Sequence, residues 1–145
     1  MGIREIAFRG KRVDNDEWAY GGIVHQTDYY GDKVDRWFII DGTETNDYEI
    51  GYPIEVIPET VGQYTGLTDK NGRTIFEGDI IKVSYDDEDY LTSVYAHINT
   101  LCVNIRDEDY DFTSIDFAVD LWENRGCEYE VIGNIHDNLE LMEGE

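Results

Sequence analysis

The stretch GQYTGLTDKNGRTIFEGDIIKV, residues 62–83, contains two turn signals set between apolar segments. The first is Asp69–Gly72, whose Asn-Gly pair accepts positive φ without steric strain and is the strongest short signal for a β-hairpin. The second, at Gly78 and Asp79, leads into the apolar run that begins at Ile80. Strands alternating with tight turns are typical of a small antiparallel β-domain. We therefore interpret the stretch as scaffold.

Ligand-binding loops do not fit this stretch. An EF-hand calcium loop needs Gly at its sixth position, and counting from Asp69 the sixth residue is Thr74, whereas Gly72 is the fourth. Neither GxxxxGK[ST] nor GxGxxG, the two common phosphate-binding patterns, occurs in the chain. The spacing thus argues against both a calcium loop and a phosphate loop.

The chain of 145 residues is strongly acidic, with 33 Asp and Glu against 11 Lys and Arg and a formal net charge of -22. Such a surface repels phosphate backbones and anionic lipids, so the composition argues against direct nucleic-acid binding and against membrane binding. Three interpretations stay open: a solubilising surface, attraction to a basic partner, or mimicry of nucleic acid by carboxylates.

The sequence favours a cytoplasmic location. The opening residues MGIREIAFRG lack the apolar segment of a signal peptide, and no apolar run reaches the roughly 18 residues of a membrane span. The two cysteines, Cys102 and Cys127, do not form the disulfide framework expected of a secreted domain. We therefore expect both thiols to be reduced.

Short segments of alternating apolar and polar residues recur along the chain, the pattern of half-buried antiparallel strands. The clearest candidate strands are 18–25, 36–40, 54–57, 80–85, 90–98 and 101–105. Residues 26–35 are interpreted as a polar hairpin loop. Pro58 ends the candidate strand at 54–57. We predict a mainly β (β-rich α+β) protein of two small barrel-like antiparallel subdomains, one at 1–60 and one at 61–145.

Residues 113–122, TSIDFAVDLW, fit two structures. Their apolar residues are spaced as in a strand or, read differently, as on one face of a helix. Thr113 with Asp116 resembles a capping box, and Gly126 is suited to end a helix. We favour one short helix near 113–124.

The tetrapeptide DEDY occurs twice, at 87–90 and 107–110. If residues 80–105 form a three-stranded meander, in which alternate residues of 90–98 share one face, both tetrapeptides lie in turns at the same end of the sheet, roughly 10 Å apart. Their carboxylates would form an acidic rim, our candidate partner-binding site: Asp86, Asp87, Glu88, Asp89, Asp107, Glu108 and Asp109. The rim is interpreted as solvated loops, as the docking point of a basic protein or as a weak divalent-cation site.

Residue types that carry catalysis are scattered. His25, His97 and His136 show no metal-ligand spacing. Cys102 lies five residues from His97, but strand alternation gives no reason for the two side chains to meet. We assign no catalytic, cofactor-binding or metal-binding residue.

Three segments carry a resemblance to a known family: QYTGLTDKNGRTIFEGDIIKV, YEVIGNIHDNLELM near the end and REIAFRG near the start. In their order along the chain they resemble the YopX family of bacteriophage and prophage proteins. One departure is Leu139, where the terminal motif usually has Pro. The resemblance implies a β-rich intracellular protein that self-associates and is encoded by mobile elements. It implies no established activity, and no functional residues are carried over.

These observations lead to one preferred function and two alternatives. We expect a non-enzymatic, homo-oligomeric phage or prophage accessory protein that binds a basic host or phage protein in the bacterial cytoplasm, without a cofactor. The first alternative is an acidic nucleic-acid mimic that inhibits a DNA-binding host protein. The second is a metal-dependent hydrolase that uses clustered carboxylates.

Overall fold

The protein is mainly β, as predicted, in a computed structural model that describes residues 7–40, 53–105 and 111–143. Its strands are β1 (Phe8–Lys11), β2 (Trp18–Tyr29), β3 (Asp32–Ile40), β4 (Pro53–Val56), β5 (Gly62–Thr68), β6 (Thr74–Phe76), β7 (Asp79–Tyr85), β8 (Glu88–Ser93), β9 (Tyr95–His97), β10 (Thr100–Asn104), β11 (Phe112–Ser114) and β12 (Glu128–Asn134). The helices are α1 (Ile115–Asn124), the single turn α2 (Glu140–Glu143) and a 3-10 turn at Pro58–Thr60. The chain divides into two compact units, Met1–Tyr64 and Thr65–Glu145.

The N-terminal unit is built on antiparallel strands in the order β4-β3-β2-β1, and β1 also pairs with the start of β5 through Phe8 and Gln63. Among its described residues, 7–40 and 53–64, the buried apolar side chains are few: Ala19, Ile39 and Val56. Gly10 lies against Val56, and a Cβ at Gly10 would come within 3.0 Å of the Val56 Cβ. This unit therefore has a small core at one part of a long sheet.

The β2–β3 hairpin extends well beyond that core. The interpretation of residues 26–35 as a loop is wrong, because most of them pair across the two strands and only Tyr30 and Gly31 form the turn. Both turn residues have positive φ, at 49° and 85°, as a two-residue primed turn requires. The segment is polar because neither of its faces is buried, which made a strand look like a loop.

The C-terminal unit contains two three-stranded antiparallel sheets, β12-β7-β8 and β11-β10-β9. They share one core with α1, formed by apolar side chains of β6, β7, β10, α1 and β12 and by two residues that directly follow β8 and β10: Ile75, Ile81, Val83, Val94, Val103, Ile105, Ile115, Ala118, Val119, Trp122, Tyr129 and Val131. This is the larger of the two cores, so the candidate site rests on the better-packed unit.

The predicted barrel-like closure and continuous meander are wrong, and the reason is the position of Val94. Its backbone bonds back to the β6–β7 turn, with Gly78 N to Val94 O at 2.8 Å and Val94 N to Asp79 O at 3.0 Å. β8 ends at this point. In one continuous strand Thr92, Val94 and Ile98 would share a face, but Thr92 and Val94 are buried whereas Ile98 is 83% exposed. In the described residues β8 and β9 are consequently the end strands of separate sheets, and no ladder closes into a barrel.

The ambiguous segment 113–122 begins as a strand and continues as a helix. Thr113 pairs with Val103 in the β10–β11 ladder, and the cap is Ser114, whose Oγ accepts a hydrogen bond from Phe117 N at 3.2 Å. Capping by Thr113 is therefore wrong, although the helix is confirmed. It ends at Gly126, where φ is +74° and the bonds Gly126 N to Glu123 O and Cys127 N to Trp122 O form a Schellman motif.

Candidate functional site

The first half of the predicted acidic rim is an exposed hairpin turn between β7 and β8. Tyr85 pairs with Glu88, so Asp86 and Asp87 alone form the turn, with φ of 49° and 68°. Aspartate tolerates this left-handed conformation better than most residues. The Asp86, Asp87, Glu88 and Asp89 side chains all lie in solvent. We call these four residues the acidic hairpin.

The second half of the rim, Asp107, Glu108 and Asp109, lies outside the described residues. Its predicted closeness to the acidic hairpin therefore stays a prediction. Ile105, the last described residue before this segment, lines the same cavity as Glu88 and Asp89 of the acidic hairpin.

That cavity has a volume of about 200 Å³ and lies between the β7–β8 hairpin and the C-terminal end of α1. Aromatic rings supply much of its wall, from Tyr85 and Tyr90 on the hairpin and Trp122 on the helix. Glu88 and Asp89 add two carboxylates. We call this space the aromatic cavity.

Two features hold the aromatic cavity in shape. The Trp122 indole N–H donates to the Tyr90 hydroxyl at 2.9 Å, which joins the helix to β8. Val83 and Ile105, both buried, form its floor together with half-buried Leu121. The walls are thus fixed by packing and one side-chain hydrogen bond.

Polar groups of the α1 terminus complete the lining. Arg125 is the C-cap residue of α1, and Cys127 follows it. Burial raises the pKa of the Cys127 thiol, so the thiol is neutral at physiological pH. Beside the cavity, Asp86, Asp87 and Glu128 line an open depression that carries further negative charge.

Sequence patterns do not indicate this cavity because its walls come from segments up to 44 residues apart, Val83 to Cys127. A partial signal is present: Tyr85 and Tyr90 flank the acidic hairpin directly. The spacing of residues 113–122 indicates a buried helix face that includes Trp122, but it does not indicate that Trp122 also lines a cavity.

The predicted turn at Asp69–Gly72 is confirmed, with Gly72 at φ +79°, but it does more than reverse the chain. Asp69 is only 6% exposed, and its carboxylate accepts from Asn71 N and Arg73 N in its own loop. The other carboxylate oxygen accepts from Val131 N on β12, at 2.9 Å. Asp69 therefore links its loop by a hydrogen bond to β12, at a residue 62 positions further along the chain.

The ionisation of Asp69 follows from these contacts. Burial raises the pKa of its carboxyl group, but the hydrogen bonds from the N–H groups of Val131, Arg73 and Asn71 outweigh that effect and bring the pKa below its usual value. Asp69 is therefore a carboxylate at neutral pH, and its role is structural.

The histidines and cysteines do not assemble into a reactive site among the residues described. His97 pairs with Thr100 across the β9–β10 ladder, whereas Cys102 lies opposite Tyr95 and contacts the Thr100 carbonyl. His25 stacks on Trp37 at 3.8 Å and bonds Asp35 at 2.6 Å. Within 7–40, 53–105 and 111–143, no three His, Cys, Asp or Glu side chains are grouped so that they could hold a metal ion.

The same described ranges contain no helix long and apolar enough to cross a membrane.

Comparison with known proteins identifies the family. The model of the YopX protein family matches residues 7–143. The chain belongs to the YopX family. The resemblance to this family is thereby confirmed, while no curated protein matches the chain.

Two solved structures share the fold. The chain is similar to protein EF1440 from Enterococcus faecalis, with 25% identity, a TM-score of 0.58 and coverage of 97% of this chain and 99% of that one. It is also similar to protein yopX from Bacillus subtilis, with 19% identity, a TM-score of 0.53 and coverage of 93% and 96%. The YopX fold therefore accounts for both units of the chain.

Proposed function

We propose that this YopX-family chain is a non-enzymatic accessory protein of a phage or prophage, which self-associates and binds a basic protein in the bacterial cytoplasm. The motifs shared with the YopX family support the phage origin. The observation that supports self-association best is the end of the β2–β3 hairpin, residues 24–36, which we call the arm.

The arm is a two-stranded ribbon without a core of its own. None of its residues is buried, and three of its large apolar side chains are well exposed, Val24 at 46%, Tyr29 at 54% and Tyr30 at 91%. An isolated two-stranded hairpin is marginally stable in water. A surface that packs on the arm would therefore stabilise it.

The charge distribution favours a second copy of this chain as the molecule that packs on the arm. Residues 18–40 contain two basic and three acidic side chains, a net charge of -1, whereas the whole chain carries -22. Two copies repel each other strongly elsewhere, so this hairpin is where they can approach with the smallest electrostatic penalty. Salt should strengthen the association because it screens the remaining repulsion.

Paired substitutions test the arm. Val24→Thr keeps a β-branched residue, and Tyr30→Asn places the residue preferred before Gly in a primed turn, so the double variant should fold normally. We expect it to lower the mass measured by light scattering toward that of a monomer. The control is Leu139→Gln, which alters a side chain of similar exposure, 50%, in the C-terminal unit. Equal masses for the double variant and the control would refute the arm as the interface.

The acidic hairpin is proposed as the surface for the basic partner. Its four carboxylates are exposed and adjoin the open acidic depression that Glu128 also lines. Asp86→Asn with Asp87→Asn should leave the turn intact, because Asn accepts positive φ as readily as Asp. Capture of the partner by this variant should fall relative to wild type, most strongly at low salt. Undiminished capture would contradict the proposal.

A further inference from the structure

We infer that the aromatic cavity receives one cationic side chain, arginine or lysine, of the basic partner. This inference rests on the proposed partner binding and adds to it the chemistry of a specific pocket.

The size of the cavity favours a side chain over a cofactor. Pockets for whole small molecules span roughly 300–1,000 Å³. The aromatic cavity measures about 200 Å³ and is partly open, so it can enclose the end of one long side chain while the rest of its chain stays outside.

The lining favours a positive charge with an apolar stem. Aromatic rings attract cations through their ring electrons, most strongly for Trp, and three aromatic side chains, Trp122, Tyr85 and Tyr90, line the cavity. Glu88 and Asp89 supply formal negative charge at the same place. The buried aliphatic floor suits methylene groups, which lysine and arginine bury while their charged ends face polar groups.

The end of α1 contributes in the same direction. The C-terminal end of a helix carries partial negative charge, and the last turn of α1 contains no basic residue. Arg125, just after that turn, adds one positive charge to a lining that contains two carboxylates. Removing it should therefore raise the affinity for a cation and lower that for an anion.

The surroundings decide between a protein side chain and a free small cation. The acidic depression beside the cavity continues its negative surface through Asp86 and Asp87, whereas Glu128, which also lines it, is ion-paired with Lys70 at 3.0 Å. A free amine in the cavity would not reach these carboxylates, whereas a basic peptide segment would contact both places. Multiple contacts of this kind raise affinity without changing the pocket.

The indole N–H of Trp122 provides a direct reporter of occupancy, because it is bound to Tyr90 at the cavity wall. We would follow its nuclear magnetic resonance signal during titration with three probes: n-butylguanidinium, n-butylsulfonate, and a blocked peptide of alternating arginine and glycine. We expect saturable shifts with the guanidinium and the peptide, tighter binding of the peptide, and no saturable shift with the sulfonate.

Three variants check the assignment. Glu88→Gln with Asp89→Asn should weaken n-butylguanidinium binding by about fivefold, since two nearby charges are lost. Arg125→Gln should tighten it. Asp120→Asn with Glu140→Gln removes the same formal charge from exposed residues that do not line the cavity, and it should leave the affinity unchanged.

The possible failures are distinguishable. Absence of a saturable guanidinium shift, or an equal shift with the sulfonate, would overturn the cavity as a cation pocket. If the peptide bound the acidic hairpin without shifting Trp122, the proposed function would stand and this inference would be wrong. If the guanidinium bound but the peptide bound no tighter, the cavity would be a cation pocket without a role in partner binding, and the inferred source would be overturned.

Discussion

Replacement of Asp69 by Asn tests how the central turn holds the C-terminal unit together. The carboxylate accepts three backbone N–H groups, two on one oxygen and that of Val131 on the other. An amide retains one oxygen, which can serve the two donors of its own loop, but its NH₂ group would then face the Val131 N–H. The variant loses at least one charge-assisted hydrogen bond and leaves a buried donor unpaired.

The expected loss of stability is large. A hydrogen bond to a charged group contributes about 1.5–3 kcal/mol, and a buried unpaired donor costs about 1–3 kcal/mol. Allowing for overlap between the two effects, we expect Asp69→Asn to lower the free energy of unfolding by about 2–4 kcal/mol, a large share of a typical total of about 5–15 kcal/mol. With a urea m-value of about 2 kcal/mol/M, the midpoint should fall by about 1–2 M.

Urea unfolding measures the total loss, and amide hydrogen exchange locates it. Exchange at Val131 should accelerate more than exchange at Arg73, since only the Val131 donor loses its acceptor outright. Asp120→Asn, at an exposed position of α1, is the matched control and should change stability by no more than about 0.5 kcal/mol. A stability of Asp69→Asn equal to that of the control, or unchanged exchange at Val131, would refute the reasoning.

Three further predictions concern the same unit. The pKa of Asp69 is lower in the folded state than in the unfolded state, so its contribution to the free energy of unfolding is present above the unfolded pKa and is lost as pH falls through the folded pKa. Urea midpoints should therefore drop on acidification, and they should drop by less in Asp69→Asn. A Cβ at Gly72 would meet no atom within 4 Å, but Gly72→Val must hold φ +79°. Calorimetry should therefore show a lower melting temperature, from about 1–2 kcal/mol of backbone strain, and an unchanged temperature contradicts the turn. Gly133→Ala would bring a Cβ within 2.5 Å of Asn138 Oδ1, and a loss of about 1–3 kcal/mol in urea unfolding is expected; a neutral result would show that Asn138 moves freely.

Local signals in the sequence predicted the features that depend on neighbouring residues. Asn71-Gly72 indicated a turn and Gly126 a helix end, because positive φ is a local requirement that glycine meets. The helix was predictable because Ile115, Ala118, Val119 and Trp122 lie on one face, and all four are buried. The capping residue was misplaced by one position, since Thr and Ser are both common caps and both residues pair in the β10–β11 ladder; the hydrogen bond from Phe117 N identifies Ser114.

Features that depend on distant residues were not predictable. Alternation in 90–98 predicted one strand, but Val94 is held by the β6–β7 turn, about 15 residues earlier in the chain, and the strand ends there. The partner of Asp69 lies on β12, and no pattern around Asp69 indicates it. The aromatic cavity likewise exists only where the β7–β8 hairpin meets the end of α1. In each case tertiary contacts, rather than local preference, determine the outcome.

Self-association of the full chain is the central claim, and sedimentation velocity over a range of micromolar concentrations measures it most directly. The proposal predicts a species larger than the 16.8 kDa monomer, whose fraction increases with protein concentration and increases again when salt is raised to about 0.15 M, where the screening length is about 8 Å. A single species at the monomer mass, at low and at raised salt and at every concentration, would contradict it.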